Sequence, residues 1–598
     1  MSSNDESDES EFLLERVEDL HRYMLIVWQD IRGNVDWDNE EERQQLLWKL
    51  HPMFCLDWEG AYPNPRDFCR AEAMELLLSD AVNLRYLKHY PAHEFIRFVA
   101  RSGYRSDPAE FASLRHTTAL HLAAKRCVFP GSLGDTKVRE LFAIYDDREA
   151  NYVDEEDGAT THFHVACKFG YERIVEKFLE RKQSIDCLDS ALRLALNWER
   201  EEVVELLLRH GADPNRADRV SGETPLHVIC KKQSGSDDDD LAKLLFDATQ
   251  KVGERLRVDE QDERGWTPLH FALIRWNRRL VELLLRGGAD PNLADEDGST
   301  PLHLIGEIGD PDSARTLFEI YGEAVKVDAR DKFSCAPLHA AAFHSDVELM
   351  QLLLRRGADP NPANDDGTTP LHFVNCIDDN EDAAHFWRRF FEISEVEMQR
   401  KVRVDAPNAR DWAPLHLALY CGSEAATELL LRRGADPNLA TWRGMTPLHV
   451  ACRRSEFHRG AAVARSLLRI SEEVVGRPVV ELDEREAKGR TPLHCAVANL
   501  EPSIVDLLLE RGANLSVFVF PESSFLGREF KNDQREFRLI LAAGALACVE
   551  SLENAGYGME RRSPSCSPST DCSRGRRRPS RGAGTATTSL KTKPKRSW

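Results

Sequence analysis

The chain has no CxxC pair among its fourteen cysteines, which are scattered from Cys55 to Cys572. That spacing offers neither a disulfide framework nor a zinc knuckle, and it fits a reducing compartment. There is no GxGxxG, no P-loop lysine motif, no HExxH and no GxSxG, so phosphate-cradling loops, zinc-hydrolase helices and nucleophile elbows have no foothold. Long apolar runs are missing too: Leu539 to Val549 is flanked by Arg538 and Glu550 and falls well short of the roughly 18 to 20 residues that a spanning helix needs. The opening MSSNDESDESEFLLER is acidic and lacks the basic flank and apolar core of a secretory signal. These absences point to a soluble, intracellular, cytoplasmic protein without catalytic chemistry.

Apolar residues supply 42% of the 598 positions and charged residues 30%, enough for a buried core under a solvated surface. The net charge of −22 is unevenly placed. Residues 561–598 hold eleven Lys or Arg against Asp571 alone, which leaves −32 on the remainder. A body that acidic repels phosphate backbones and attracts basic surfaces, so a protein partner of basic or mixed charge is expected, with no nucleic acid on the body. The clusters Arg574 to Arg581 and Lys591 to Arg596 have the composition of nuclear-import signals, an alternative to a plain solvated tail.

Self-similarity organises the chain. TPLH occurs at Thr224, Thr267, Thr300, Thr369, Thr446 and Thr491, with near copies ending at His121, His164, His339 and His416. A degraded copy puts Arg193 in the histidine position, and LILAA puts Ile540 there. Thr267 reads as an N-cap, Pro268 as the first helical residue, which needs no amide hydrogen, and Leu269 as inward-facing. The leucine-rich run from Leu280 to Leu285 reads as a second helix packed on several sides, stopped by Gly288 before an Asp290-Pro291-Asn292 turn. The GADPN stop recurs at Gly211, Gly357 and Gly434.

TPLH followed by GADPN at a spacing near 33 resembles the ankyrin repeat over residues 116–558. The resemblance implies an all-α solenoid of about a dozen helix-turn-helix units with β-hairpin tips, which binds proteins and carries no catalytic residue, cofactor or metal. Residues 1–115, without repeats but with apolar patches at Leu46 to Leu50 and Ala73 to Leu78, read as a helical N-terminal cap, as solenoid ends require. FRLILAAGALACVESLENAGY reads as a degenerate final repeat. The low-complexity basic residues 559–598 read as a disordered tail.

A second period is superimposed. His270 to His303, His339 to His372 and His416 to His449 are each 33 apart, while the intervening gaps are 36 and 44. The excess always follows the second helix of the second repeat in each pair of repeats, around Val252 to Asp262, Ala324 to Asp331, Glu395 to Asp411 and Val474 to Lys488. The pairing, with the early FIRFVARSGY segment, resembles long ankyrin proteins that often end in an F-box-like PRANC module. In those, the array presents substrate to a cullin-type ubiquitin ligase, although nothing after Tyr557 has the periodicity of such a module.

Candidate metal sites have simpler readings. The motif histidines, some followed by a cysteine as in His164 with Cys167 or His449 with Cys452, sit on stacked helices about 8 to 10 Å apart, too far to share one zinc. They read as hydrogen-bonding histidines beside small buried thiols. Asp237 to Asp240 precedes a helix start, and Asp295 with Asp297 lacks the rest of a calcium loop. His89 and His93 are separated by Pro91 and read as a loop.

For the partner surface, the hairpin positions before each N-cap carry Glu263, Arg264, Lys332, Phe333, Trp442 and Arg443. Exposed aromatic and arginine side chains are the usual energetic centres of interfaces. The expected function is a protein-interaction scaffold gripping its partner with tips and first helices. The alternatives are a substrate-recognition subunit of a ubiquitin ligase and an IκB-like inhibitor of a transcription factor.

Overall fold

The computed structural model describes Ile26 and residues 35–558, apart from 55–61, 68, 85–90, 108–116, 128–132, 146–150, 155, 157–159, 181–184, 233–237, 254, 376–380, 454–459, 477–478 and 521–534. The acidic leader, His89, Asp237 and the basic tail lie outside the described residues.

Three helices, Glu40–Phe54, Ala71–Asn83 and Pro91–Arg101, form the N-terminal unit. Phe54 packs between Phe95 and Phe98 at 5.0 and 5.2 Å, and Arg43 pairs with Asp80 at 2.6 Å inside it. His93 is helical rather than in a loop, because Pro91 starts the helix, where its missing N–H costs nothing. Its Nε2 lies 3.3 Å from Glu140. The unit joins the array through Glu75, whose buried carboxylate accepts the Ala119 amide at 2.9 Å and the Tyr145 hydroxyl at 2.6 Å. Burial and the Glu75 charge push the Tyr145 phenol well above its ordinary range.

Helix pairs follow in sequence, the first helix of each stacking on the first helix of the next and, along most of the array, the second helix on the next second helix. The first three are Ala119–Arg126 with Leu133–Ile144, His162–Phe169 with Glu172–Leu179, and Ile185–Asn197 with Glu201–Arg209. Next come Pro225–Cys230 with Asp238–Val252, Pro268–Ile274 with Arg278–Arg286, Pro301–Ile308 with Pro311–Tyr321, and Pro337–His344 with Val347–Arg355. The eighth pairs a 3-10 turn, Pro370–Asn375, with Glu381–Phe391. Pro414–Cys421 with Glu424–Arg432, Pro447–Ala451 with Gly460–Val475, and Pro492–Ala498 with Pro502–Glu510 complete the eleven. The last element is one helix, Arg535–Asn554. It is not a further pair, since no capping residue or proline divides it and Gly544 lies against Leu500 instead of ending a turn.

The motif chemistry appears as expected. Thr267 is the N-cap and Pro268 opens the helix, while His270 Nδ1 accepts the Thr267 amide at 3.0 Å. Gly288 takes a φ of 98°, the left-handed stop after the second helix. Leu280, Val281, Leu284 and Leu285 are buried between neighbouring repeats, each contributing on the order of 1.5 to 3 kcal/mol.

One position explains the pair period. Three residues before each tip the chain carries, in order, Asn215, Asp259, Asn292, Asp328, Asn361, Asp405, Asn438 and Asp483. Each reaches into the following repeat. Asn292 donates to the Ala324 carbonyl at 2.9 Å and accepts the Lys326 amide at 2.7 Å; Asn215, Asn361 and Asn438 make the same two bonds to their long segments. Asp259, Asp328, Asp405 and Asp483 accept one amide each, from Asp290, Asp359, Asp436 and Asn514. A long segment presents both a carbonyl and an amide, which only a carboxamide can satisfy, whereas the GAD turn presents an amide alone. The long segments are therefore fastened down. Arg400 donates to the Gly357 carbonyl at 2.6 Å, Tyr321 to the Ala289 carbonyl at 2.6 Å, and Val325 and Val402 are buried.

Candidate protein interface

Most tips are tight turns organised by one acidic or amide side chain. Asp262 Oδ1 accepts the Arg264 and Trp266 amides at 2.9 and 2.8 Å, and Asp331 Oδ1 accepts those of Phe333 and Cys335 at 2.9 and 2.7 Å. The tips were expected as β-hairpins, but among the described residues there is no strand, only the isolated bridge between Val153 and Thr161. Two backbone bonds close such a turn, from the Asp262 amide to the Trp266 carbonyl and from the Gly265 amide to the Asp262 carbonyl, both at 2.9 Å, too few to build a strand pair. Asp295 likewise spends its carboxylate on the Asp297 and Ser299 amides.

Neighbouring tips are joined by single backbone bonds. Glu263 donates to Ser221 at 3.2 Å, Glu296 to Arg264 at 3.1 Å, Lys332 to Asp297 at 2.7 Å, and Asp365 to Phe333 at 3.0 Å. Ala409 donates to Asp366 at 2.6 Å and Ala487 to Arg443 at 2.7 Å. Glycine sits in the turn because the tips nearly touch: a Cβ on Gly265, whose φ is 74°, would meet the Glu296 amide at 2.7 Å. Among the described residues no such bond joins Arg410 to Trp442. There Thr441 replaces the usual Asp or Asn and accepts the Met445 amide through its hydroxyl at 3.2 Å.

All six residues singled out from the sequence lie in this row. Lys332 pairs with Asp297 and lies over the Phe333 ring, 5.0 Å from its centre. Arg443 lies 4.5 Å over the Trp442 ring. Phe333 is 46% and Trp442 65% exposed, so neither is buried against a neighbouring tip. Sequence reasoning missed further exposed aromatics near the ends of the first helices: Phe343 stands 5.7 Å from Phe373, Tyr420 stands 5.5 Å from Trp412, and Trp276 is exposed. The signal was available, since Phe343 and Tyr420 occupy the same place in their motifs, six residues after Pro337 and Pro414.

The buried polar groups are structural. His227, His303, His372 and His449 each place Nε2 3.0 Å from a carbonyl oxygen of the next repeat. His164 Nε2 lies 2.6 Å from Ser190 Oγ, which has the look of a nucleophile pair. Yet His164 Nδ1 accepts the Thr161 amide at 3.1 Å. The hydrogen is therefore on Nε2, and this histidine donates to the serine and cannot take its proton. Burial pushes the Cys187 thiol up to about 11 and that of Cys495 to about 12, the opposite of activation. No helix among the described residues is long and apolar enough to cross a membrane.

The chain is 28% identical to human Rabankyrin-5 over 354 residues, 54% of this chain and 27% of that protein. It is 30% identical to human B-cell lymphoma 3 protein over 238 residues, 40% of this chain and 48% of that protein. The chain thus spans a quarter to a half of the length of these relatives. Among solved structures, the ankyrin repeat domain of Bcl-3, titled a unique member of the IκB protein family, matches at 27% identity, covering 41% of this chain and 99% of that one, with a TM-score of 0.34. The family model for ankyrin repeats in three copies matches residues 120–218, 192–295, 233–331, 274–364, 338–441 and 415–518, an unbroken stretch of about two thirds of the sequence. With tips, capped helix pairs and stacked leucines all in that stretch, the chain belongs to the ankyrin-repeat family.

Proposed function

We propose that the array is a non-enzymatic scaffold that holds a partner protein of basic or mixed charge along the row from Glu263 and Arg264, through Lys332 and Phe333, to Trp442 and Arg443. The observation that carries this reading is the Trp442 tip, where an indole 65% exposed lies beneath a guanidinium at 4.5 Å. A rigid aromatic and an arginine held ready in solvent are what an interface centre requires. The body's charge of −32 favours a basic counterpart. The long segments are less suited to the task, because Asn292, Asn361 and Arg400 hold their backbones.

The test takes the partner recovered by affinity purification with the full chain. Trp442→Ala with Arg443→Ala should weaken its binding at least tenfold, about 1.4 kcal/mol, with thermal unfolding nearly unchanged. Shortening Glu395 to Asp411 should cost less. Binding that survives the tip variant and disappears with the shortened segment would place the interface elsewhere. The IκB-like reading draws on the 30% identity to human B-cell lymphoma 3 protein; recovery of a transcription factor whose association falls steeply with salt would favour it. Recovery of a cullin would favour the ligase reading.

A further inference from the structure

The row of tips has a gap at the third repeat. From the fifth repeat on, eleven positions separate the linking residue from the motif histidine, as in Asp259 to His270, Asp328 to His339 and Asp405 to His416, and in the fourth, Asn215 to His227, twelve. Here Asp189 and Arg193 are four apart. Asp189 still makes the link, accepting the Asp213 amide at 2.8 Å, but it does so from within the long helix Ile185–Asn197. The residues that would build a tip are missing. An open cavity of about 780 Å³ occupies their place, between His164 of the second repeat and the fourth tip, Arg216 to Glu223.

The charges in this cavity are sorted by depth. Asp218 and Glu223 sit in its walls and are engaged, by Arg193 at 2.8 Å and by Lys231 at 2.5 Å. The guanidiniums of Arg216 and Arg219 stand at the rim, Arg219 with 78% of its side chain exposed. Their contacts with the exposed Asp186 are long, 3.4 and 3.3 Å. Deeper in, Asp189 is 5% exposed and its Oδ2 has no hydrogen-bond partner, with Arg216 Nε at 3.9 Å. The accessible face is therefore cationic, on a body that is strongly anionic, and a buried acceptor lies beneath it.

We propose that the gap is a second docking site, which takes an acidic segment of a partner protein. Carboxylates of that segment exchange with Asp186 for the Arg216 and Arg219 guanidiniums, which can hold them in bidentate fashion. As Arg216 swings out to those carboxylates it uncovers Asp189 Oδ2, which is closed off from solvent 3.9 Å from Arg216 Nε, and a backbone N–H of the segment then satisfies that oxygen. The acidic occupant is opposite in sign to the basic counterpart expected at Trp442, and the two sites are separate along the stack, so the scaffold holds two segments of opposite charge at once.

The test uses the full chain and three labelled probes: a Glu-rich peptide, the same peptide with lysine for glutamate, and a single-stranded oligonucleotide of matching charge. Fluorescence anisotropy should show saturable binding of the Glu-rich peptide and none of the oligonucleotide, while binding of the lysine peptide to the acidic body should be insensitive to the arginine variants. Arg216→Ala with Arg219→Ala should weaken binding of the Glu-rich peptide at least tenfold, and Trp442→Ala with Arg443→Ala should leave it unchanged, which separates this site from the first. Should the double variant unfold, Arg219→Glu, at a position 78% exposed, should give the same loss. The proposal is overturned if the native chain fails to bind the Glu-rich peptide, if the oligonucleotide binds as tightly, if the arginine variants weaken the lysine peptide equally, or if neither arginine variant alters binding of the Glu-rich peptide.

Discussion

His372 and Trp412 lie forty residues apart in sequence and are joined by one hydrogen bond, Nε2 of the histidine donating to the tryptophan carbonyl at 3.0 Å. The other ring nitrogen accepts the Thr369 amide at 3.0 Å, so the neutral ring is satisfied on both sides and a second ring proton would face an N–H. Burial accordingly lowers the His372 pKa to about 4.

Acid should therefore loosen the array. Burial also lowers the pKa of His227, His270, His303, His339, His416, His449 and His494. An unfolded histidine takes up a proton near pH 6.5, while the folded one does not until its lowered pKa is reached. The contribution is whole above about pH 6.5 and is lost as pH falls through that window, roughly 3 kcal/mol for His372 by about pH 4. Asp259, Asp328 and Asp405, raised by burial, act with the opposite sign but only near the carboxylate range. Urea unfolding followed by circular dichroism should show a falling midpoint between about pH 7 and about pH 5; a flat profile would contradict the assignment.

Leu284→Ala should cost roughly 2 to 5 kcal/mol, because a side chain with no exposure loses both transfer energy and packing. In a nearest-neighbour stack the damage stays close to the fifth repeat. Hydrogen exchange that accelerates evenly from residue 120 to residue 550 would show long-range cooperativity instead.

Asn292→Ala removes both bonds to the Ala324 carbonyl and Lys326 amide and should cost about 1 to 3 kcal/mol. The direct readout is faster exchange of the Lys326 amide. Asn292→Asp should fall between the two, keeping the amide bond but turning a carboxylate oxygen towards a carbonyl. Equal exchange in all three proteins would show that the link carries no energy.

Glu75→Ala should undock the N-terminal helices, since it strands the Ala119 amide and the Tyr145 hydroxyl in a dry interface. Proteolysis near residues 71–101 should become faster while the repeats beyond Thr224 keep their native protection. Unchanged cleavage there would assign the docking to the apolar contacts alone.

Much of this could be read from the sequence because the repeat's chemistry is local. Thr267, Pro268 and His270 define a helix start within four residues, and Gly288 ends the pair. The tip residues followed from their place just before the cap. Less legible was anything decided between repeats. The alternating Asn and Asp were visible as letters, but their targets, the Ala324 carbonyl or the Asp290 amide, come into reach only after stacking. The same holds for Arg193, where a changed motif residue signalled a degenerate copy without revealing that the tip before it was missing. The terminal Arg535–Asn554 helix ran on for a related reason, because its apolar pattern suits one helix or two equally and the stop signal was absent.

The alternation at Asn292, Asp328, Asn361 and Asp405 also sets the step in which such a chain can be edited. Remove one unit and an aspartate comes to face a carbonyl, or an asparagine is left with a single amide and a spare N–H. Remove two adjacent units and every remaining residue meets the neighbour it was matched to. Lengthening or trimming by recombination, in a lineage or on a designer's bench, therefore leaves the seams intact only when repeats are added or deleted in twos.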